Sequence, residues 1–441
     1  MSHAQIRVGV IALSRFLDDP RVRRQCEVLQ KSGFQVFAIG EEDDRSESVS
    51  WTVVRPITSE MAEADVAQSV RATSKEDTFP IARNFSRMFY RRFLEVLPVI
   101  LGESLTKLLR RSILVARAQW CRVQPQYAQK LFWSWKSSIT HLYKKAKPLR
   151  CDIWLANDWI TLPIAARLAA ENGGIYVYDT HEFALEEYQE RFLWRFAQKP
   201  IVAALEKAYI DGAKLVTAVS SGIAQRLTEI YQLPQAALTV RNTPRYVEVA
   251  FRPTPAVVRV LYHGIVSPGR GLEAAIDSVP SWSPDRELYI RGPGAQDYLA
   301  SLRKRIEDAS LQSRIFIIPS VPMTELVVAA SEFDIGFFAL PGHSLHNEYA
   351  LPNKFFEYAM AGLALCVSRL PEMASILSKY QLGSTFAMVT PELIASAINE
   401  LSREEIDQYK RNSLVAAKEL CWETESLNFV SALTALAGTK A

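Results

Sequence analysis

Short, almost wholly apolar runs alternate with longer stretches of helical period along most of the chain. "RVGVIAL" (7–13), "QVFAIG" (35–40), "DIWLA" (152–156), "IYVYDT" (175–180), "LVTAV" (215–219) and "LTVRN" (238–242) come first. After a proline-containing stretch follow "VRVLYHG" (258–264), "ELYIRG" (287–292), "RIFIIP" (314–319), "DIGFFAL" (334–340) and "LALCVS" (363–368). Strands covered on both faces of a parallel sheet read this way, because neither face meets water. Strand–helix alternation on both sides of a linker near 243–257 predicts an α/β chain of two doubly wound, Rossmann-like domains facing each other. Two stretches break the alternation. Residues 81–147 read as a helical insert, and 403–441 read as helix with no strand of their own, expected to lie across something already built.

Finer punctuation marks individual elements. Asp19 before Pro20 has the form of an N-cap with proline at the first helical position. In "LPNKFFEYAMAG" (351–362), Pro352 suits the first helical position and Gly362 the residue past the last, predicting a buried helix of about ten residues. Asn353 and Lys354 then lie in its first turn, and Glu357 is its one carboxylate. A helix start presents free N–H groups and the positive end of the dipole, which together favour an anion, phosphate above all.

Composition narrows the class. With 441 residues the chain exceeds a single core, and 49% apolar with 22% charged residues excludes wholesale disorder. No run of eighteen apolar residues occurs, and the opening "MSHAQIRVGVIALSRF" reads as a first strand rather than a secretory signal. Cys26, Cys121, Cys151, Cys366 and Cys421 never pair as CxxC, and the histidines form no HxxxH or HExxH. A reducing, cytoplasmic setting is therefore expected, and neither a zinc site nor a metal hydrolase has support.

Doubly wound sheets bind ligands where loops converge at the carboxyl ends of strands. The distinctive residues fall there. Asn157 and Asp158 follow the "DIWLA" run, and His181 and Glu182 follow "IYVYDT". "HGIVSPGRGLE" places Gly264, Gly269, Arg270 and Gly271 in a loop entering a helix. "RGPG" supplies Gly292 and Gly294, and "LPGHSLHNEYALPNK" follows "DIGFFAL". Singly, each has a plain explanation: a turn for "RGPG", a backbone-satisfying histidine for His181, a solvated lysine for Lys354. Five such clusters, each behind a predicted strand, argue jointly for a site.

In this order the motifs resemble a known family. "DPRVRRQCEVLQKSGFQVFAIG", "NDWITLPIAARLA", "YDTHE", "VTAVSSGIAQRL", "GIVSPGRGLEAAI", "ELYIRGPG" and "LPNKFFEYAMAGLALCVS" are similar to retaining glycosyltransferases of the GT-B fold, in glycosyltransferase family 4. The likeness covers most of the chain except roughly 57–147. It implies an acceptor-binding domain over 1–247, a nucleotide-sugar-binding domain over 256–402, and helices in 403–441 that cross back to the first domain. On the same resemblance, Glu357 takes the ribose hydroxyls, the amides of Asn353 and Lys354 hold the diphosphate, and Arg270 neutralises the leaving group. His181 lies beside the donor sugar, and Gly264, Gly269, Gly292, Gly294 and Val321 line the nucleotide. The family's paired glutamates are altered: position 349 is tyrosine, and Glu348 and Asn347 are the neighbouring candidates for the donor sugar. The sequence is similar to the subset with "PNK-FEY" instead. The N-terminal glycine-rich loop is replaced by "SRFLDDPRV", so Asp18, Asp19 and Arg21 join Asn157, Asp158 and Glu182 as acceptor-side residues. Catalysis would rest on His181, Arg270, Lys354 and Glu348. No cofactor and no metal is implied, because the helix start, Arg270 and Lys354 supply the positive charge.

Charge adds a partner. Residues 81–150 hold fifteen Lys and Arg against two acids, Glu95 and Glu103, in a chain of net charge +3. Arg83, Arg87 and Arg91 share one helical face and Phe85, Phe89 and Phe93 another. Leu105, Leu108, Leu109 and Ile113 oppose Lys107, Arg110, Arg111 and Arg117, and Phe132, Trp133, Trp135 and Tyr143 lie among lysines. Basic amphipathic helices with aromatics suit an anionic membrane surface, and a peripheral location and a saccharide or lipid-linked acceptor follow as expectations. The plainer alternative packs the apolar faces on the first domain. No nucleic-acid module is present. Two other functions remain open: a GT-B nucleotide-sugar epimerase or hydrolase without acceptor, and a non-catalytic GT-B scaffold.

Overall fold

The computed structural model describes residues 5–16, 19–41, 49–54, 103–135 and 137–438. Its first sheet contains β1 (Arg7–Ile11), β2 (Gln35–Ile39), β3 (Thr52–Val53), β4 (Ile153–Asn157), β5 (Ile175–Thr180), β6 (Val216–Ala218) and β7 (Leu238–Thr239). They lie in the order β3-β2-β1-β4-β5-β6-β7. The second holds β8 (Val258–His263), β9 (Arg286–Arg291), β10 (Ile315–Ile318), β11 (Ile335–Phe338), β12 (Ala364–Ser368) and β13 (Gly383–Phe386), ordered β10-β9-β8-β11-β12-β13. Pairing is parallel, as between β1 and β2 and between β8 and β9. Each apolar run predicted as a strand contains one. β3 and β13 had no such signal: β3 is two exposed residues, and "GSTF" of β13 is only partly buried. Strand order reverses between β1 and β4, and again between β8 and β11, the positions where open α/β sheets take ligands.

Contacts divide the chain into two compact units, Met1–Tyr178 with Tyr188–Lys214, and Asp179–Glu187 with Leu215–Ala441. The loop after β5, carrying His181 and Glu182, therefore belongs with the second unit.

In that unit the strands divert around one tyrosine. Tyr358 is fully buried, and a Cβ at Gly336 of β11 would lie 2.3 Å from its ring. Only glycine at 336 lets the ring reach the gap between β8 and β11. There the Tyr358 hydroxyl accepts from the His263 N–H at 2.9 Å and donates to the Phe337 carbonyl at 3.1 Å. One hydroxyl thus satisfies a donor and an acceptor that strand divergence would otherwise strand in the core.

Helix ends follow their capping chemistry. Asp19 accepts from Val22 N and caps the Pro20–Lys31 helix with Pro20 in its first turn, as expected. The Asn353–Met360 helix starts one residue later than predicted, with Pro352 at the N-cap, and is eight residues long. The C-terminal helix, Trp422–Gly438, is fastened to the segment after β7. Glu425 accepts from Arg241 N at 2.8 Å and from its guanidinium at 2.6 and 2.9 Å.

Part of the basic insert, including Arg83 to Phe93, lies outside the described residues. The rest forms helices Glu103–Val123, Pro125–Trp135 and Ser137–Ala146. The first of these buries Thr106, Ala118 and Cys121, while Leu105, Leu108, Leu109, Trp120 and Val123 are exposed, Leu108 at 59%. Ile113 of the same predicted apolar face is half-buried. The aromatics further on behave oppositely. Phe132 is buried, Trp133 stands edge-on to Phe132 and Tyr143, and Arg167 lies 4.8 Å and 4.4 Å from the Trp133 and Tyr143 rings. All five cysteines are free and buried, and no described helix is long and apolar enough to cross a membrane.

Candidate functional site

The loops after β8 and β9 are zipped together before they diverge. Gly264 N donates to the Arg291 carbonyl at 3.0 Å and Val266 N to that of Pro293 at 2.8 Å. Glycine is obligatory at two of these positions. Gly264 has φ +118 and Gly292 φ +149, and a Cβ on Gly292 would fall 1.8 Å from the Gly264 carbonyl oxygen. The absent side chain of Gly264 also leaves room for Lys354, whose Nζ would lie 3.0 Å from a Cβ there.

Lys354 enters this space from the first turn of the Asn353–Met360 helix. Its Nζ sits 4.3 Å from the Tyr262 ring centroid and 4.4 Å from that of Phe338, and donates to the Tyr262 hydroxyl at 3.3 Å. The Tyr262 hydroxyl in turn donates to the Ile265 carbonyl at 2.7 Å, which leaves its lone pairs to the lysine. Lys354 is half-buried as a residue, yet its ammonium is enclosed, and the enclosure governs its titration. Burial pushes its pKa down to about 7, with the Arg270 charge adding and Glu357 opposing. Two aromatic faces return part of the lost hydration. Burial likewise pushes the Tyr262 phenol up to about 12 against the pull of Arg270. Arg270, half-buried between Gly269 and the left-handed Gly271, is thus close enough to act on both groups. The helix start leaves the amides of Asn353 and Lys354 without intrahelical acceptors.

One turn further along, Glu357 Oε2 lies 2.9 Å from His263 Nε2. His263 is buried at the end of β8. The cluster thus gathers two cations, the two amides of the helix start and a carboxylate facing a buried histidine at the strand reversal of the second sheet. Such a set is suited to an anion carrying a diol.

A second cluster in the same unit holds the loop after β5. Fully buried Asp179 accepts from the Thr217 hydroxyl, and its other oxygen lies 3.3 Å from His181 Nε2. Glu182 lies 3.5 Å from His346. Asn347 donates its side-chain amide to the Pro341 carbonyl at 2.7 Å, and Glu348 is half-buried in the same turn. Tyr349 packs on Phe183 and on Gly222, where a Cβ would lie 2.2 Å from the ring. Gly294 bridges to Val266, and Val321 is half-buried beyond β10.

The first unit carries the remaining candidates. Asp19 uses its second carboxylate oxygen on Ser14 Oγ at 2.9 Å, Arg21 is buried, and Asn157 donates to the Ile11 carbonyl at 3.4 Å. Asp158 has φ +65 at the carboxyl end of β4. Asp18 lies outside the described residues. Sequence reasoning missed His263, Tyr262, Phe338, Tyr358 and Asp179. Their signal was the register itself, since each sits at or just beyond the carboxyl half of a predicted strand or beside a nominated residue.

No family profile and no curated protein matches the sequence. Solved structures do. HepE from Anabaena, in complex with UDP-glucose, aligns with TM-score 0.60 and 13% identity over 98% of this chain and 100% of that one. Sucrose-phosphate synthase from Thermosynechococcus elongatus gives 0.64 and 13% over 99% and 100%. The lipopolysaccharide outer core galactosyltransferase WaaB gives 0.55 and 12% over 98% and 99%. The fold is that of the GT-B glycosyltransferases. At such identities the likeness speaks for architecture, and residue roles rest on the geometry above.

Proposed function

We propose that the chain transfers a sugar, with retention of configuration, from a nucleoside-diphosphate sugar to a saccharide or lipid-linked acceptor, as family 4 transferases do. One observation carries this reading: Lys354, the Asn353–Met360 helix start and Arg270 converge beside Glu357 at the strand reversal between β8 and β11. That UDP-sugars occupy related folds, as UDP-glucose does in HepE, supports it. The diphosphate lies on the helix start and between the two cations, and the ribose diol meets Glu357. His181, braced by Asp179, and Glu348 with Asn347 attend the sugar. The acceptor hydroxyl approaches the anomeric carbon from the face the diphosphate leaves. Its oxygen forms the new bond as the carbon–phosphate oxygen bond breaks, and the departing phosphate oxygen takes its proton. Helix start, Arg270 and Lys354 supply the positive charge the leaving group needs.

Arg21, Asp19, Asn157, Asp158 and Glu182 are assigned to acceptor handling. The exposed leucines of Glu103–Val123, in a strongly basic stretch, support an acceptor at an anionic membrane and a role in assembling surface polysaccharide or glycolipid. Thermal-shift measurements against UDP-, GDP-, ADP- and TDP-sugars test the donor half. One nucleotide class is expected to stabilise strongly, and Glu357→Ala to abolish the shift. No stabilisation by any nucleotide would overturn the reading.

A further inference from the structure

We infer that His263 is a positioning residue for nucleotide recognition: its imidazole holds the Glu357 carboxylate in the orientation that grips the two ribose hydroxyls. This rests on the nucleotide-sugar reading of the site.

Glu357 alone would be a poor reader of a diol. A glutamate has three rotatable side-chain bonds, and ordering it costs entropy that each ligand contact must first overcome. The carboxylate is 18% exposed, with Oε2 turned inward to His263 Nε2 at 2.9 Å. A carboxylate offers about four lone-pair positions, enough in principle to face an imidazole and to accept from a pair of vicinal hydroxyls.

The imidazole is itself immobilised. His263 stacks on Tyr358 at 4.6 Å between centroids and 31° between planes. Its backbone N–H is tied to the Tyr358 hydroxyl, which is tied to Phe337 of β11. Tyr358 directly follows Glu357 in the same helix, so β8, β11 and the carboxylate share one frame. Nothing in folding alone asks for a histidine here. Its Nδ1 finds no partner among the described residues, and Nε2 faces Glu357 outside ideal hydrogen-bond alignment. A buried imidazole with that little internal satisfaction is costly. A phenylalanine would fill the volume against Tyr358 without that cost. Contacts of this sort often straighten only when ligand binds.

A packing role and a positioning role separate in the ratio of affinities for a ribonucleotide and its 2′-deoxy counterpart. UDP and 2′-deoxy-UDP, GDP and 2′-deoxy-GDP, and ADP and 2′-deoxy-ADP are titrated calorimetrically into the full chain, and the tightest ribonucleotide pair is carried forward. Wild type is expected to prefer the ribonucleotide by about tenfold or more, the scale of a hydrogen bond to a charged group. His263→Phe is expected to weaken ribonucleotide binding about tenfold while leaving the 2′-deoxy ligand within about twofold, so the preference collapses. In a Glu357→Gln background, which keeps a side-chain oxygen acceptor, the same change should have no further effect on the ratio. If His263→Phe does not fold, His263→Leu reads the same ratio. Equal weakening of both ligands, or an unchanged preference, overturns the assignment and leaves the nucleotide-sugar reading standing. Wild type that binds nucleotides without preferring ribose overturns His263 together with the role of Glu357. Wild type that binds none overturns the nucleotide-sugar reading, and this assignment with it.

Discussion

Two amphipathic helices of this chain turn opposite faces to their surroundings. Asn353–Met360 buries Phe355, Phe356, Tyr358, Ala359 and Met360 and points Lys354 and Glu357 at a common site. Glu103–Val123 buries Thr106, Ala118 and Cys121 and leaves Leu105, Leu108, Leu109, Trp120 and Val123 outside. Periodicity alone describes both equally well, because it separates two faces without saying which one is wet. For the first helix the neighbours decide: it lies between β11 and β12, whose apolar covering must come from its phenylalanines. For the second, three helices follow one another with no strand between them, and no sheet dictates the inward face.

The sharpest way to break that contrast is through the charges the first helix gathers. Arg270→Ala is expected to lower turnover by about 10² to 10³-fold, on the order of 3–4 kcal/mol, if the guanidinium stabilises charge developing on a diphosphate. Nucleotide binding should weaken less than turnover. Steady-state rates with the donor identified by thermal shift provide the check. A loss in affinity alone would mean that Arg270 merely binds.

Next in size is the hydroxyl at the strand reversal. Tyr358→Phe strands both the His263 N–H and the Phe337 carbonyl and is expected to cost about 1–3 kcal/mol of unfolding free energy. Urea titration reads this directly. A cost near zero would imply that β8 and β11 do not depend on that bridge.

Lys354 links the site to pH. Its folded pKa, about 7, lies below the ordinary lysine value, so the unfolded chain binds the proton more tightly. Stability of the nucleotide-free protein should therefore rise with pH from about 7 towards the unfolded lysine value, where the lysine is neutral in the fold. A diphosphate reverses the preference by favouring the ammonium, so binding takes up a proton above pH 7. Affinity is expected to fall as pH rises through that range, by at most about tenfold per unit. Lys354→Met should flatten the profile and raise the unfolding temperature of the free protein, since it removes a poorly hydrated charge. Calorimetry in two buffers of different ionisation heat measures the proton uptake. Equal observed enthalpies would remove Lys354 from diphosphate binding.

Much of this architecture could be read before any coordinates. Eleven strands announced themselves as continuous apolar runs, because covering on both faces leaves no polar alternation. Lys354 and Glu357 were legible because a proline before and a glycine after their helix mark its start and stop, and Arg270 because it stands in a glycine-flanked loop behind a predicted strand. His263 and Tyr358 were not, since a histidine and a tyrosine inside apolar stretches look like core until register sets them beside Glu357. β13 escaped for the opposite reason: an edge strand half open to solvent needs no apolar run. The helix at 351–362 was placed one residue early because proline is favoured at the first helical position, and here it occupies the cap. The aromatics at 132–143 show tertiary packing overriding composition, since Arg167 and Glu171 draw Trp133 and Tyr143 onto the Leu162–Asn172 helix rather than outward.

The gentlest substitutions test the second helix. Leu108→Glu together with Trp120→Ser changes two exposed side chains that the fold does not use, so unfolding free energy should move by no more than about 0.5 kcal/mol per site. If these leucines and Trp120 meet an anionic bilayer, the same pair should weaken flotation with vesicles containing phosphatidylserine, because it removes buried apolar area and adds a like charge at the surface. Neutral vesicles should bind poorly in either case. A protein that floats unchanged would show that the outward leucines serve something other than lipid. A large loss of stability would show instead that the fold itself uses that face.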